Sequence, residues 1–173
     1  CLTGGALFCY ISSASAVFMG VFELDQQHFA YAFALNAVGI MLLSSINKRI
    51  SKRVGIQRRL QIGGLIQFTG ALIVLLCALA TSASLWMVML GLFMAVAGIG
   101  FTGPNAMALA MSQQGARAGT ASALMGSVQF SCGLLGGLIL NFMPWNALLN
   151  MGLLMVMFTL LGLSAIFVIA RQR

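Results

Sequence analysis

The chain has 173 residues, of which 61% are hydrophobic and only 6% are charged. Soluble domains are about 45–50% apolar and about 25% charged, so this composition excludes a solvated surface of ordinary size. The net charge of +7 does not indicate a nucleic-acid partner. The basic residues lie in short segments between apolar runs, where anionic lipid headgroups are the expected counter-charge. The composition therefore predicts an integral membrane protein.

Six apolar runs are long enough to cross the hydrocarbon core as helices, which takes roughly 20 residues each. Alternation sustained over about 10 residues, the pattern of a membrane β-strand, is missing from the sequence. The predicted fold class is therefore an all-α membrane protein with six transmembrane helices. A carboxylate at a helix start can accept its free N–H groups, so Asp25 is expected to cap the second span. The predicted spans are residues 2–22, 28–46, 60–80, 85–111, 119–142 and 147–170.

Residues 47–59 form a basic segment that predicts the orientation of every span. Its six basic residues are Lys48, Arg49, Lys52, Arg53, Arg58 and Arg59. A charged side chain at the membrane centre costs about 3 kcal/mol, so this segment is predicted to be a loop in water. Short loops rich in Lys and Arg stay in the cytoplasm. Alternation then places Arg117 and the C-terminus on the same side, and places Glu23 and Asp25 on the other.

Small and polar residues recur along one face of two spans. In the fifth span they are Gly119, Ser122, Gly126, Gln129, Gly133 and Gly136, and in the fourth they are Gly91, Ala95, Gly98 and Thr102. Small residues on one face allow another helix to approach closely, so both faces are predicted to be packing seams. Their polar members, Gln129 and Thr102, are better candidates than the glycines for contact with water or substrate.

Residues 98–103 match the pattern GxGxxG, which occurs in dinucleotide sites. Such a site needs a preceding strand and an acidic residue about 20 positions further on. Here the motif lies inside an apolar span, and neither Asp nor Glu follows it in the sequence. Pro104 comes next and lacks a backbone donor. The motif therefore predicts a kinked segment of the fourth helix.

Neither an enzymatic activity nor a cofactor is expected. His28 is the only histidine, and the sequence has no GxSxG elbow and no CxxC pair. Three of the four cysteines lie in apolar runs and are interpreted as small apolar residues, without a disulfide or a metal site. The chain begins with cysteine, and its first apolar run lacks a basic leader. We therefore expect a piece of a longer protein.

Short runs in four spans resemble the C-terminal half of the Bcr/CflA drug-resistance transporters of the major facilitator superfamily. The runs are YISSAS at 10–15, FALN at 33–36, PNAMA at 104–108 and GTASAL at 119–124. The chain departs from the family pattern in two places. Ala16 stands where the family often has a kinking proline, and the basic segment lacks the acid of the family's Asp-Arg-x-Gly-Arg loop.

The resemblance implies a twelve-helix transporter of the bacterial inner membrane, built from two six-helix halves around a central cavity. This chain would supply helices seven to twelve. In that fold the first, second, fourth and fifth helices of each half line the cavity, and the third and sixth face outward. Family members export drugs or small metabolites in exchange for protons, by rocking one half against the other. The implied partners are the missing N-terminal half, a small-molecule substrate, protons and membrane lipids.

Asp, Glu, Lys and Arg are missing from the middle of every predicted span, so the coupling carboxylate is expected in the N-terminal half. This chain would supply a neutral cavity wall. The candidate residues are Tyr10, Ser13, Asn36, Thr102, Asn105, Met125 and Gln129. One alternative is another polytopic membrane protein without proton antiport, such as a permease subunit or a half-size homodimer. An intramembrane enzyme would need a paired nucleophile and base, which these residues do not offer.

Overall fold

The computed structural model describes residues 1–80, 83–112 and 118–171. Within them the chain is helical apart from short connections, and six helical stretches are long and apolar enough to cross a membrane. The predicted all-α fold with six transmembrane helices is confirmed for this part of the chain. The elements are α1 (Leu2–Ser15), a π-helical segment (Ala16–Val21), α2 (Gln26–Ile50), α3 (Ile56–Leu79), α4 (Leu85–Ala97), α5 (Ile99–Met111), α6 (Ala118–Phe142) and α7 (Ala147–Arg171).

The helices pack in three layers. The central layer consists of α1 with α4 and α5; α3 and α7 pack together on one side of it, and α2 and α6 lie on the other. Apolar side chains of α1, α3, α4 and α7 form most of one continuous core. The helices α2 and α6 contribute little to it, because only 17% and 11% of their apolar windows are buried, against 50% in the first and last spans. One outer layer is therefore left open.

Glycines allow a close backbone contact between α3 and α4. A Cβ on Gly70 would stand 2.6 Å from the backbone oxygen of Gly91, and a Cβ on Gly91 would stand 2.9 Å from that of Gly70. Gly98, at the end of α4, packs against the side chain of Gln67 and the backbone of Gly63. The predicted seam of the fourth span is therefore confirmed as a packing surface, and its partner is α3.

The predicted packing seam of the fifth span is confirmed over only part of its length. Gly133 and Gly136 of α6 pack against Phe8 and Cys9 of α1. By contrast, a Cβ on Gly119 or Gly126 would find no atom within 4 Å. Within the described residues, Gly119 and Gly126 in the first half of α6 therefore face open space.

The prediction of a water-exposed loop over residues 47–59 is wrong in extent. The helix α2 continues to Ile50 and α3 begins at Ile56, so only residues 51–55 are non-helical. Lys and Arg are good helix formers, and Lys48 and Arg49 in the last turn of α2 interact favourably with the helix dipole. Hydropathy marks where the apolar stretch ends, but the helices extend beyond it. We call this end of the bundle the basic end.

The first and fourth spans leave regular α geometry at particular residues. The first changes to a π-helix at Ala16, the position at which the resemblance placed a proline. π-helical turns often occur at functional sites. The fourth span is interrupted at Gly98, between α4 and α5, inside the segment for which a kink was predicted. The opposite end of the bundle includes residues 22–25, which hold both acidic residues; we call it the acidic end.

Candidate functional site

A buried hydrogen bond joins the first and second spans. Asn36 of α2 donates through Nδ2 to the hydroxyl oxygen of Tyr10 on α1, at 2.9 Å. Both residues are 1% exposed. The side-chain oxygen of Asn36 has no hydrogen-bond partner among the described residues. The pair therefore offers one spare acceptor, well inside a membrane-spanning helix.

Aromatic rings continue from this pair towards the acidic end. The rings of Tyr10 and Phe33 are stacked with centroids 5.5 Å apart, and Phe29 lies 6.0 Å beyond Phe33. Phe18, in the π-helical segment, completes the row at 6.1 Å from Phe29. Phe33 is 38% exposed. Phe33 is therefore the exposed ring of this row nearest to the spare acceptor of Asn36, and another aromatic ring can pack favourably against it.

Thr102 forms a second amide–hydroxyl pair on the opposite side of the central layer. Its hydroxyl donates to Oε1 of Gln67 on α3 at 3.0 Å, and Nε2 of Gln67 donates to the backbone oxygen of Thr3 at 3.4 Å. Thr102 and Gln67 are fully buried. Every polar atom of the two side chains is therefore occupied by contacts within the chain.

Asn105 belongs to a third cluster, at the basic end. The side-chain oxygen of Asn47 accepts from Nδ2 of Asn105 and from Nη1 of Arg59, both at 3.0 Å. Nδ2 of Asn47 donates to the backbone oxygen of Gly100 at 3.3 Å. That carbonyl lies four residues before Pro104, which has no N–H to pair with it. The cluster ties α2, α3 and α5 together and satisfies the carbonyl that the proline leaves free.

The remaining cavity candidates lie apart from these pairs. Ser13 is buried on α1, one turn beyond Tyr10. Met125 and Gln129 are half-buried on α6, where the backbone oxygen of Met125 accepts from Cys1 and the side chain of Gln129 lies against Gly4. The structure thus brings Tyr10 and Asn36 together but distributes the other five candidates over separate contacts.

The six predicted topology determinants all lie at the basic end. Lys48 and Arg49 occupy the last turn of α2, Lys52 and Arg53 lie in the 51–55 connection, and Arg58 and Arg59 lie in the first turn of α3. Five of them are exposed, and only Arg59 is half-buried. Arg59 also donates through Nε to the backbone oxygen of Val54 at 3.0 Å. Arg117 lies outside the described residues.

Both acidic residues lie outside the helices, in the exposed connection before α2. Glu23 adopts a positive φ of 53°. Asp25 accepts a hydrogen bond from the backbone N–H of His28 at 2.8 Å, which confirms the predicted cap. This bond, together with one to the His28 ring, holds the pKa of Asp25 below its ordinary value. The membrane-spanning helices themselves contain neither Asp nor Glu.

Comparison with known families decides the class of this six-helix chain. The model of the Major Facilitator Superfamily matches residues 1–137. The chain belongs to the major facilitator superfamily. It is thus part of a family of membrane transporters, whose members are generally not enzymes.

Two curated superfamily relatives cover most of the chain. It is 31% identical over 142 residues to the bicyclomycin resistance protein homolog of Haemophilus influenzae, an alignment that covers 82% of this chain and 35% of that protein. It is 28% identical over 171 residues to the uncharacterized MFS-type transporter YdgK of Bacillus subtilis, covering 98% of this chain and 42% of that protein. The predicted resemblance to the drug-resistance group is confirmed. The chain spans less than half the length of these relatives, and no solved structure matches it significantly.

Sequence reasoning missed several polar and aromatic contacts of this superfamily member. Phe29, Phe33 and Asn36 are spaced by four and three residues, so they share one face of α2. Asn47 follows Asn36 by 11 residues, close to three helical turns, and therefore lies on nearly the same face. This spacing is visible in the sequence. The pairing of Gln67 with Thr102 is not, because it depends on which faces of α3 and α5 meet.

Proposed function

We propose that this chain is the C-terminal half of a transporter that exports small molecules across a bacterial inner membrane by alternating access, in exchange for protons. Membership of the superfamily supports the transport mechanism. The name of the Haemophilus relative supports drug export, because that protein is called a bicyclomycin resistance protein homolog. The share of each relative that is covered, 35% and 42%, supports the presence of a further half.

The spare oxygen of Asn36 is the observation that carries the proposal. An unpaired buried acceptor costs about 1–3 kcal/mol, and the cost is recovered when a molecule that donates a hydrogen bond reaches it. The neighbouring rings of Tyr10 and Phe33 favour an apolar or aromatic body on that molecule. Asn36 and Tyr10 would therefore bind the exported compound. Thr102 and Asn105 would instead stabilise the packing of helices within this half.

The N-terminal half would cover the open layer formed by α2 and α6. Both helices carry large apolar side chains on their exposed faces. These side chains do not contact the core, and their exposure to water would be unfavourable. On α2 these are Tyr31, Leu35, Val38, Met41, Leu42 and Ile46, and on α6 they are Leu124, Val128, Leu134, Leu135 and Leu138. We also propose that the basic end faces the cytoplasm, because its exposed cations follow the positive-inside rule.

Proton coupling would depend on the N-terminal half. A coupling group needs a pKa that changes as the cavity opens to one side and then to the other, and a carboxylate within the membrane is suited to this. The carboxylates of this chain are Glu23 and Asp25, which are exposed at the acidic end. They are therefore not expected to couple transport to the proton gradient.

Drug accumulation tests the proposal directly. The full-length protein would be expressed in a bacterial strain that lacks its own exporters, and uptake of labelled bicyclomycin or other small drugs would be followed. Lower accumulation is expected, and an uncoupler should restore it. Unchanged accumulation of every compound, with the protein present in the membrane, would overturn the export proposal.

A second measurement addresses coupling alone. The double replacement Glu23→Gln with Asp25→Asn in the full-length protein should leave uncoupler-sensitive efflux largely intact. Efflux that persists but no longer responds to the gradient would show that the coupling carboxylates lie in this chain. A single replacement of exposed Lys52 by Gln serves as the control for changes of surface charge.

A further inference from the structure

A separate polar pocket lies near the acidic end, between the first, fifth and sixth spans. It has a volume of about 210 Å³. Its lining includes Ser12, Ser13 and Ala16 on the first span, Asn141 at the end of α6, Trp145 in the connection, and Asn150 on α7. Asn36 and Tyr10 do not line it, so it is distinct from the site proposed above.

Asn150 has an unpaired oxygen in this region, and its orientation is fixed. Its Nδ2 donates to the backbone oxygens of Met143 at 3.2 Å and Trp145 at 3.0 Å. Both partners can only accept, so the amino group must face them and the oxygen must face away. The residue is only 5% exposed, and the oxygen has no partner among the described residues. This oxygen is therefore left to accept a hydrogen bond from a ligand.

The other lining residues are polar but uncharged. Among the described residues, Ser12 and Ser13 make no side-chain hydrogen bond. Ser127 on α6, a serine outside the pocket, is different, because its hydroxyl donates to the backbone oxygen of Ala123 in its own helix at 3.0 Å. The hydroxyls of Ser12 and Ser13 are therefore available to a ligand. Neither carboxylate of the chain lines the pocket, so a cationic ligand would find no counter-charge there. The indole of Trp145 supplies an apolar face.

We propose that this pocket is a second small-molecule site, which binds a neutral compound carrying a hydroxyl or amide N–H beside a small ring. The donor group pairs with the oxygen of Asn150, the ring lies against Trp145, and Ser12 and Ser13 make the remaining polar contacts. The π-helical segment begins at Ala16, where a small side chain leaves the pocket open. Ligand binding at this site does not depend on the proposed export function.

Three matched probes test this chemistry in the purified full-length protein. Phenethyl alcohol has a neutral donor, phenethylammonium has a charged donor, and ethylbenzene has none. Calorimetric titration should show that phenethyl alcohol binds more tightly than ethylbenzene by about three- to tenfold, the effect of one neutral hydrogen bond. Phenethylammonium should bind more weakly than the alcohol. Equal binding of the alcohol and ethylbenzene would overturn the proposal.

Variants locate the binding. Ala16→Leu fills the pocket without removing a polar group, and should weaken phenethyl alcohol binding by at least about tenfold. Ser127→Ala, the control serine outside the pocket, should leave it unchanged. Unaltered affinity in Ala16→Leu would place the probe elsewhere and refute the site.

If Ala16→Leu fails to fold, a variant that adds a negative charge to the pocket provides a second test, because it should gain affinity for a cationic probe. Ser12→Asp places a carboxylate at an exposed position of the lining and should shift the preference towards phenethylammonium by about tenfold, because a charge-assisted hydrogen bond is roughly twice as strong as a neutral one. An unchanged preference would contradict the proposed position of the ligand. If the probes and variants behave as expected but the wild-type protein exports no drug, the export proposal is refuted and the binding site is not.

Discussion

Two amide–hydroxyl pairs join neighbouring helices in this chain, and their surroundings differ. Thr102 donates to Gln67 at 3.0 Å between α5 and α3, and Asn36 donates to Tyr10 at 2.9 Å between α2 and α1. Around the first pair, glycines bring the helix backbones into contact, and both polar atoms of Gln67 have partners. Around the second pair, aromatic rings fill the space between the helices, and the oxygen of Asn36 has no partner.

The difference shows that burial alone does not identify a binding residue in a membrane protein. All four side chains are at most 2% exposed. What separates them is hydrogen-bond satisfaction: a buried pair with every polar atom occupied stabilises the fold, whereas a spare acceptor is costly until a ligand or water reaches it. We call the first region the closed seam and the second the open seam. The predictions below test this contrast and compare it with the Asn47 cluster at the basic end.

The largest expected effect comes from Gly70 in the closed seam. A side chain there would meet the backbone of Gly91 and Ala95, which cannot move aside without separating α3 from α4. Gly70→Leu is expected to abolish folding, measured as loss of the monodisperse peak of purified full-length protein in detergent. Gly55→Leu, in the 51–55 connection, is the control, because a Cβ there meets nothing within 4 Å in the described chain and the position lies outside α2 and α6. Equal recovery of both variants would show that the seam tolerates separation.

Asn47 is expected to have the next largest effect. Asn47→Leu removes the acceptor of Arg59 and Asn105 and leaves the carbonyl of Gly100 unpaired. Losing a buried partner of a charged donor costs about 2–3 kcal/mol. A clear fall in the thermal unfolding midpoint is expected, with a much smaller change in the exposed neighbour variant Lys48→Gln. A midpoint shift no larger than that of the control would show that Asn47 is not structural.

The sequence was sufficient for the number and order of the membrane spans, because the length of each hydrophobic run determines both. The Asp25 cap and the interruption of the fourth span near Gly98 also followed from local chemistry. The extent of the basic segment did not, since hydropathy cannot distinguish a basic loop from a basic helix end. Candidate site residues were recognised as polar side chains within apolar spans, but their partners depend on how helix faces pair. Asn36 and Thr102 therefore looked alike in the sequence and differ in the structure.

Matched double variants compare the two seams directly. Thr102→Val with Gln67→Met removes the closed pair, and Tyr10→Phe with Asn36→Leu removes the open one. Replacing both partners by apolar groups of similar shape is nearly neutral, so each double variant should change stability by less than about 1 kcal/mol. Drug efflux should survive the first replacement and fall by at least about tenfold in the second, which loses hydrogen bonding and binding geometry together.

Two outcomes would contradict this contrast. Loss of efflux in the closed-seam variant, with normal folding, would show that Thr102 and Gln67 act in transport as well. Normal efflux in the open-seam variant would remove Asn36 and Tyr10 from the binding site. Ser127→Ala, outside both seams, is the control for handling and expression.

The smallest expected effect lies at the start of the open seam, where Asp25 caps α2. Its pKa is lowered in the folded chain by the hydrogen bond from the backbone N–H of His28 and by the His28 side chain. A lowered folded pKa stabilises the protein above the unfolded value, about 3.9, and this contribution is lost as pH falls through the folded value. Asp25→Ala should therefore unfold at a slightly lower temperature than wild type at neutral pH, and the difference should shrink below about pH 4. Glu23→Gln serves as the control in the same exposed connection, and a difference that persists undiminished in acid would show that the cap acts without its charge.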